Sequence, residues 1–216
     1  MSDATEVAEQ IAELARLGVA TVYEAAGRAG LIDAPLTQLI PGSRVAGPAR
    51  TALCGQDDNL MVHAVLADVQ PGEVLVLTMP EPAPVALVGE LLATQAIAHK
   101  AAGILVDGSV RDVEELRAMG LPIWARFIRV RGATKTKVGS LNVPVTVGGA
   151  TINPGDIVVM DADGAAVVAR ERVAEVVEAS RARMEREAKL RAQLETGALS
   201  YDLHGLRKVV EGEGQA

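Results

Sequence analysis

Apolar residues fall at Val7, Ile11, Leu14 and Leu17, the three-and-four spacing of an amphipathic helix, and Gly18 stops the pattern. A second short helix is expected over residues 21–28. Residues 41–53 show turn chemistry followed by a strand that Gly47-Pro48 interrupts. Asp57-Asp58-Asn59 can cap a helix reaching about Asp68, and the apolar run of residues 73–79 predicts a buried strand.

Strand and helix then alternate at the spacing of βαβ units. A helix is expected over residues 88–102, a strand over 104–106, a loop over 107–111, a helix over 112–119 ending at Gly120, and a strand over 123–127. That order predicts a largely parallel central sheet. Beyond Arg131 the pattern shortens: Gly148-Gly149, Asn153-Pro154-Gly155-Asp156 and Asp161-Ala162-Asp163-Gly164 are turn sequences between brief β-rich runs, the mark of antiparallel strands. From about Glu171 to Leu194 a long helix carries Val173, Val176, Val177 and Met184 on one narrow stripe, which suits packing on a neighbouring subunit. Residues 1–170 thus form one α/β domain, 171–216 add a helix and tail, and residues 211–216 are expected to fray.

Composition narrows the function. Of 216 residues 49% are hydrophobic and 23% charged, so a disordered chain is excluded. Aromatics are only 2% and the net charge is -7, which leaves neither stacking platforms nor clustered bases for a nucleic-acid partner. One cysteine, Cys54, fits a reducing cytoplasm. The start of the chain lacks a basic, apolar leader, and no uncharged apolar run reaches the roughly 18 residues of a membrane span, so no membrane partner is expected.

Dinucleotide, P-loop, zincin and nucleophile-elbow signatures are all missing. His63, His99 and His204 lie far apart in the sequence, more in keeping with solvated or capping residues than with a zinc set. Cys54 beside His63 could be a nucleophile, though an apolar-flanked cysteine is ordinarily a small buried hydrophobe.

What remains is a pair of loops that feed helix starts. At Gly89-Glu90-Leu91-Leu92 a bare glycine precedes first-turn N–H groups able to hold a carboxylate. At residues 107–115, Arg111 and Asp112 set a guanidinium and a carboxylate side by side beyond a strand's carboxyl end. The structural alternatives are ordinary ones: Asp112 with Glu115 makes a capping box, Arg111 a surface arginine, Gly89 a loop glycine. Together, however, an anion-binding helix start, a fixed cation and a hard-oxygen metal ligand are what a 2-oxo acid needs to form an enolate.

The run Gly89 to Thr94, followed about twenty residues later by Asp107-Gly108-Ser109-Val110-Arg111-Asp112 with Glu115, resembles the RraA-like family of class II pyruvate aldolases. That family includes 4-hydroxy-4-methyl-2-oxoglutarate and 4-carboxy-4-hydroxy-2-oxoadipate aldolases, which also decarboxylate oxaloacetate, and the regulator of ribonuclease E activity A. Asp58-Asn59-Leu60 and the turns at residues 154–156 and 161–164 match its pattern too. The stretch Gly197 to Asp202 is similar to the one closing the aldolase members, with Ala198 where an acid is usual.

The resemblance implies a layered α/β/α sandwich akin to swivelling phosphohistidine domains, assembled as a homotrimer or homohexamer with sites between subunits. It implies Asp112 as the protein ligand of Mg²⁺ or Mn²⁺, the N–H groups from Gly89 to Leu92 on the substrate carboxylate, and Arg111 on the 2-oxo oxygen. Glu90, and Glu187 from a neighbour's C-terminal helix, would orient water on the metal; without a local motif Glu187 is equally a solvated helix charge. Arg126, Arg129 or Lys135 could meet a distal carboxylate. Two rivals stay open: a Schiff-base aldolase using Lys100, Lys135, Lys137, Lys189 or Lys208, and a non-catalytic protein-binding regulator.

Overall fold

The computed structural model describes residues 3–212. Its helices and strands run α1 (Asp3–Leu17), α2 (Val19–Ala25), β1 (Thr37–Gln38), β2 (Val45–Leu53), α3 (Leu60–Leu66), β3 (Val74–Thr78), β4 (Ala86–Val88), α4 (Glu90–Ala98), β5 (Gly103–Val110), α5 (Val113–Met119) and β6 (Ile123–Ile128). There follow β7 (Ser140–Leu141), β8 (Val145–Val147), β9 (Ala150–Ile152), β10 (Ile157–Asp161), β11 (Gly164–Val168), α6 (Val173–Glu195), α7 (Ser200–Leu203) and α8 (Leu206–Glu211).

The strand order of the main sheet is β1-β6-β5-β3-β2-β10-β11, with β4 also on β5 and β7 on β2. The pairs β2/β3, β3/β5, β4/β5 and β5/β6 are parallel, and the central strands β3 and β5 carry valine and leucine runs because both their faces are covered. The partners of β10 are antiparallel, as the turn sequences predict. A separate hairpin, β8-β9, turns at Gly148-Gly149.

The mixed α/β expectation holds, but the sheet is not the flat centre of a sandwich. It curls into a nearly closed barrel, and residues 31–38 span the gap: Leu31 bridges Ala166 of β11 at one end, and Thr37 pairs with Ala125 of β6 at the other. The inward side chains Val74, Val76, Leu105, Trp124, Val158 and Met160 meet Val145, Val147 and Ile152 of the hairpin in one apolar interior. Trp124 is buried there and donates its indole N–H to the carbonyl of Asp161 at 2.9 Å, so its one polar group is satisfied. Helices α3, α4 and α5 pack outside β2, β3, β5 and β6, while α1, α2 and α6 pack outside β10 and β11.

Three local expectations change. The strand of residues 45–53 is continuous through Gly47-Pro48, because pairing with β3 begins only at Ala49 opposite Val74 and the missing proline N–H costs no ladder bond. Residues 107–110 are strand rather than loop, and Asp107 is a buried ion-pair partner of Arg126. The stripe on the C-terminal helix is in large part covered within the chain: Val173, Val176 and Val177 pack with Leu14 and Val22, and only Met184 stays half exposed. The expectation of a frayed end over residues 211–216 lies mostly outside the described residues, and residues 206–211 are helical. No described helix is long and apolar enough to cross a membrane.

Candidate functional site

One cleft of about 400 Å³ is lined by Gly89, Glu90, Leu91, Leu92, Arg111, Asp112 and Glu115 and by Asn59, His63, Gly132, Ala133 and Lys135. The fold brings the first group together because β4 and β5 are parallel neighbours, and the chain leaves each strand into a helix at the same edge. Gly89 is the extended residue before α4, and Asp112 is the residue before α5.

Asp112 does not cap its own helix. It adopts the left-handed region, φ 59°, where a residue with a side chain is strained, and makes no capping bond to α5. Its Oδ2 instead accepts the backbone N–H of Glu90 at 3.0 Å, with Arg111 Nε 3.7 Å away. The capping-box alternative is thus absent from the structure, and the strain serves to aim a half-exposed carboxylate into the cleft. Arg111 and Asp112 thus lie within ion-pair distance at the same edge of the cleft.

Gly89 is required by this approach. A Cβ there would lie 2.4 Å from Asp112 Oδ2 and 3.2 Å from Arg111 Nε. Because both obstructing groups are side-chain ends, Gly89→Ala is expected to leave thermal stability nearly unchanged while lowering turnover about tenfold, through displacement of the carboxylate. Melting curves and steady-state rates on the same preparation check this. Behind Gly89 the first intrahelical bond runs from Ala93 N–H to the Gly89 carbonyl at 3.1 Å, so the N–H groups of Leu91 and Leu92 precede the ladder and remain for a ligand anion.

The second group of lining residues was largely hidden in the sequence. Asp58, fully buried, accepts the Leu60 N–H at 2.8 Å, the Thr134 hydroxyl at 2.6 Å, the Thr136 N–H at 2.6 Å and the Lys137 N–H at 3.0 Å. It ties the start of α3 to the loop carrying Gly132, Ala133 and Lys135. Burial disfavours its charge, but the donors outweigh burial and hold its carboxyl well below the usual range. An acid before a helix reads as a cap, and only the Asp58-Asn59-Leu60 resemblance hinted at more.

Other candidates separate from the cleft. Cys54 sits in the core, and burial, helped by the Asp58 charge, pushes its thiol up to about 12, which removes it as a nucleophile with His63. Arg126 is spent on Asp107, and Arg129 donates to the Ile128 carbonyl at 2.7 Å. Of the five lysines only Lys135 lines the cleft; Lys137 donates to the Gln56 carbonyl at 2.7 Å. Within one chain Glu187 pairs with Arg183 at 2.7 Å and is not a lining residue.

Among the described residues no cluster of three or more His, Cys, Asp or Glu could hold a metal. The cleft offers Asp112, and Glu90 and Glu115 also line it. This sparse set of hard oxygens fits a magnesium-like cation that keeps most of its water, and does not fit zinc.

A family model described as Aldolase/RraA matches residues 10–167. Over 162 residues, 74% of this chain and 77% of the relative, the sequence is 33% identical to a protein of Halalkalibacterium halodurans named "Putative 4-hydroxy-4-methyl-2-oxoglutarate aldolase". The crystal structure of Streptomyces coelicolor RraAS2, described as an unusual member of the RNase ES inhibitor RraA family, superposes with a TM-score of 0.77 at 32% identity, over 86% of this chain and 98% of that one. The RNA-processing inhibitor RraA of Thermus thermophilus gives 0.57 at 32% identity, over 62% and 80%. A barrel-like sheet shared with solved RraA proteins, and a model match spanning both groups of lining residues, lead to one assignment: the chain belongs to the RraA-like family.

Proposed function

We propose that this protein is a divalent-metal-dependent lyase that cleaves a 4-hydroxy-2-oxo acid into pyruvate and a second oxo acid, and that decarboxylates oxaloacetate through the same pyruvate enolate. The observation that carries the reading is the approach of Arg111 and Asp112 beside the α4 start, in a cleft wide enough for a small acid. Asp112 would hold the divalent cation, Mg²⁺ or Mn²⁺, which would supply Lewis acidity to the reaction.

The remaining roles belong to the chain. The N–H groups of Leu91 and Leu92 bind the substrate carboxylate at the positive end of α4. Arg111 donates to the 2-oxo oxygen and gains strength as that oxygen takes up enolate charge. Glu90 orients water and Lys135 meets a distal carboxylate. Retro-aldol cleavage passes the 4-hydroxyl proton to the water that Glu90 orients and breaks C3–C4 to leave the second oxo acid, whereas oxaloacetate loses CO₂; both leave the electron pair on the pyruvyl unit, whose C3 then takes a proton from water to give pyruvate. The proposal includes a homotrimer or homohexamer in which Glu187 of one subunit approaches a neighbour's cleft.

Similarity to RraA inhibitors favours a second reading, a protein-binding platform without activity. Pyruvate release from oxaloacetate and from a panel of 4-hydroxy-2-oxo acids separates the two. The enzyme is expected to lose activity in EDTA and regain it with Mg²⁺, and borohydride with pyruvate should trap no adduct. Absence of metal-dependent release supports the platform, and a trapped adduct in EDTA-resistant protein supports a lysine aldolase.

A further inference from the structure

Strand β5 changes partner partway along its length. On one edge it pairs with β3 as far as Val106 opposite Leu77, and from Ser109 onward it pairs with β4. On its other edge Val106 stands opposite Ala125 of β6, and Ser109 opposite Phe127. Asp107 and Gly108 therefore share one place opposite the single residue Arg126, which makes a β-bulge.

The two bulge residues do different things. Gly108 lies against Leu87 and Met79, where an added Cβ would come within 3.1 Å of a side-chain carbon of each, so the bulge is closely packed on that side. Asp107 is buried and accepts from Arg126 Nε, so its side chain is tied to the one residue that the bulge opposes. Stability is a poor explanation for such a pair. Desolvating two charges offsets most of their attraction, and apolar residues of similar size would hold the strands together as well; what the ion pair adds is register.

Register matters here because Arg111 follows four residues after Asp107. Side chains alternate along a strand, so one residue gained or lost in the bulge turns every later side chain to the other face. Beyond the bulge the backbone is firmly laddered: the N–H groups of Ser109, Arg129 and Arg111 donate to the carbonyls of Val85, Val110 and Val88, each at 3.1 Å. A displacement at the bulge is thus carried to the edge of the cleft, where about 1 Å of misplacement costs up to 10²-fold in rate.

We propose that Asp107 and Arg126 are positioning residues: their ion pair locks the bulge in one register and so aims Arg111 at the cleft. Neither residue lines the cleft, so both act through Arg111 and not on the substrate. This inference rests on the lyase reading above.

The test measures kcat, KM and melting temperature for pyruvate release from oxaloacetate. It uses wild type, Asp107→Asn, the apolar double variant Asp107→Leu with Arg126→Met, Arg111→Ala, and Asp107→Asn combined with Arg111→Ala. Asp107→Asn is expected to lower kcat about 10- to 100-fold while KM changes less than about threefold. The apolar double variant should melt at or above the temperature of Asp107→Asn, with kcat still about tenfold or more below wild type. When Arg111 is already alanine, Asp107→Asn should cost less than about threefold more, because the side chain it positions is gone. An unchanged kcat in Asp107→Asn, a kcat that recovers with stability in the apolar double variant, or an equal loss in both Arg111 backgrounds overturns the assignment. If no variant of the pair folds, the pair is scaffold and the assignment also falls. A wild-type protein that releases no pyruvate instead defeats the lyase reading, so the two failures are distinguishable.

Discussion

Arg111→Ala is expected to lower kcat for pyruvate release by a factor on the order of 10², with oxaloacetate and 4-hydroxy-2-oxo acids affected alike. In the proposed mechanism both reactions deliver an electron pair into the same 2-oxo group, to which Arg111 would donate; the Asp112 carboxylate lies 3.7 Å from its Nε. A fixed guanidinium stabilises enolate charge more than carbonyl charge, so its loss raises the barrier more than it weakens binding, and kcat falls more than KM rises. The backbone offers it little alternative employment: its own N–H is committed to the Val88 carbonyl at 3.1 Å, which fixes its place at the strand end. Arg111→Lys restores charge without the planar fork and should recover only part of the rate. Steady-state kinetics on both substrates decide the matter, and unchanged turnover would remove Arg111 from the mechanism.

Asp58→Ala is expected to cost about 3 kcal/mol of folding stability, since it strips a buried acceptor from four donors at once. For a chain of this length that corresponds to a fall in Tm of roughly 6–12 °C. The cost should carry a pH signature. Because the native structure depresses the Asp58 carboxyl, its contribution is present above the unfolded value of about 3.9 and is lost as pH falls through the acid range below it. The gap in stability between wild type and Asp58→Ala should therefore stay constant from pH 5 to 7 and narrow below about pH 4. The same variant should raise KM more for substrates with a distal carboxylate than for pyruvate analogues, because the loop that Asp58 holds carries Lys135. Denaturant melts across pH with KM values for both substrate types check the two halves separately. A gap unchanged at low pH would mean that the ionised carboxylate is not what holds the loop.

The candidate site was legible where chemistry and chain proximity coincide. Arg111 and Asp112 are sequence neighbours, Gly89 marks a helix start, and the valine and leucine runs of β3 and β5 announce strands buried on both faces. These follow from local rules: periodicity, glycine before a helix, and the need of anions for unpaired N–H groups. The turns at residues 148–149 and 161–164 likewise declare antiparallel hairpins because their conformations need residues that tolerate left-handed backbone.

What depended on long-range packing was silent. No periodicity shows that residues 31–38 bridge β11 to β6, because curling of the sheet is the summed result of twist and of an interior filled from eight strands. Pairing between residues 76 to 79 positions apart, as Asp58 makes with Thr134, Thr136 and Lys137, leaves no trace in local spacing. A capping box and a cleft-lining carboxylate share one sequence at Asp112, and only the third dimension, by bringing the α4 start within hydrogen-bond reach, chose between them. The order of residues thus determined which chemical groups this protein owns and which helix starts could present them. The tertiary structure decided which groups face one another, since that choice is made by burial and strand order rather than by neighbours along the chain.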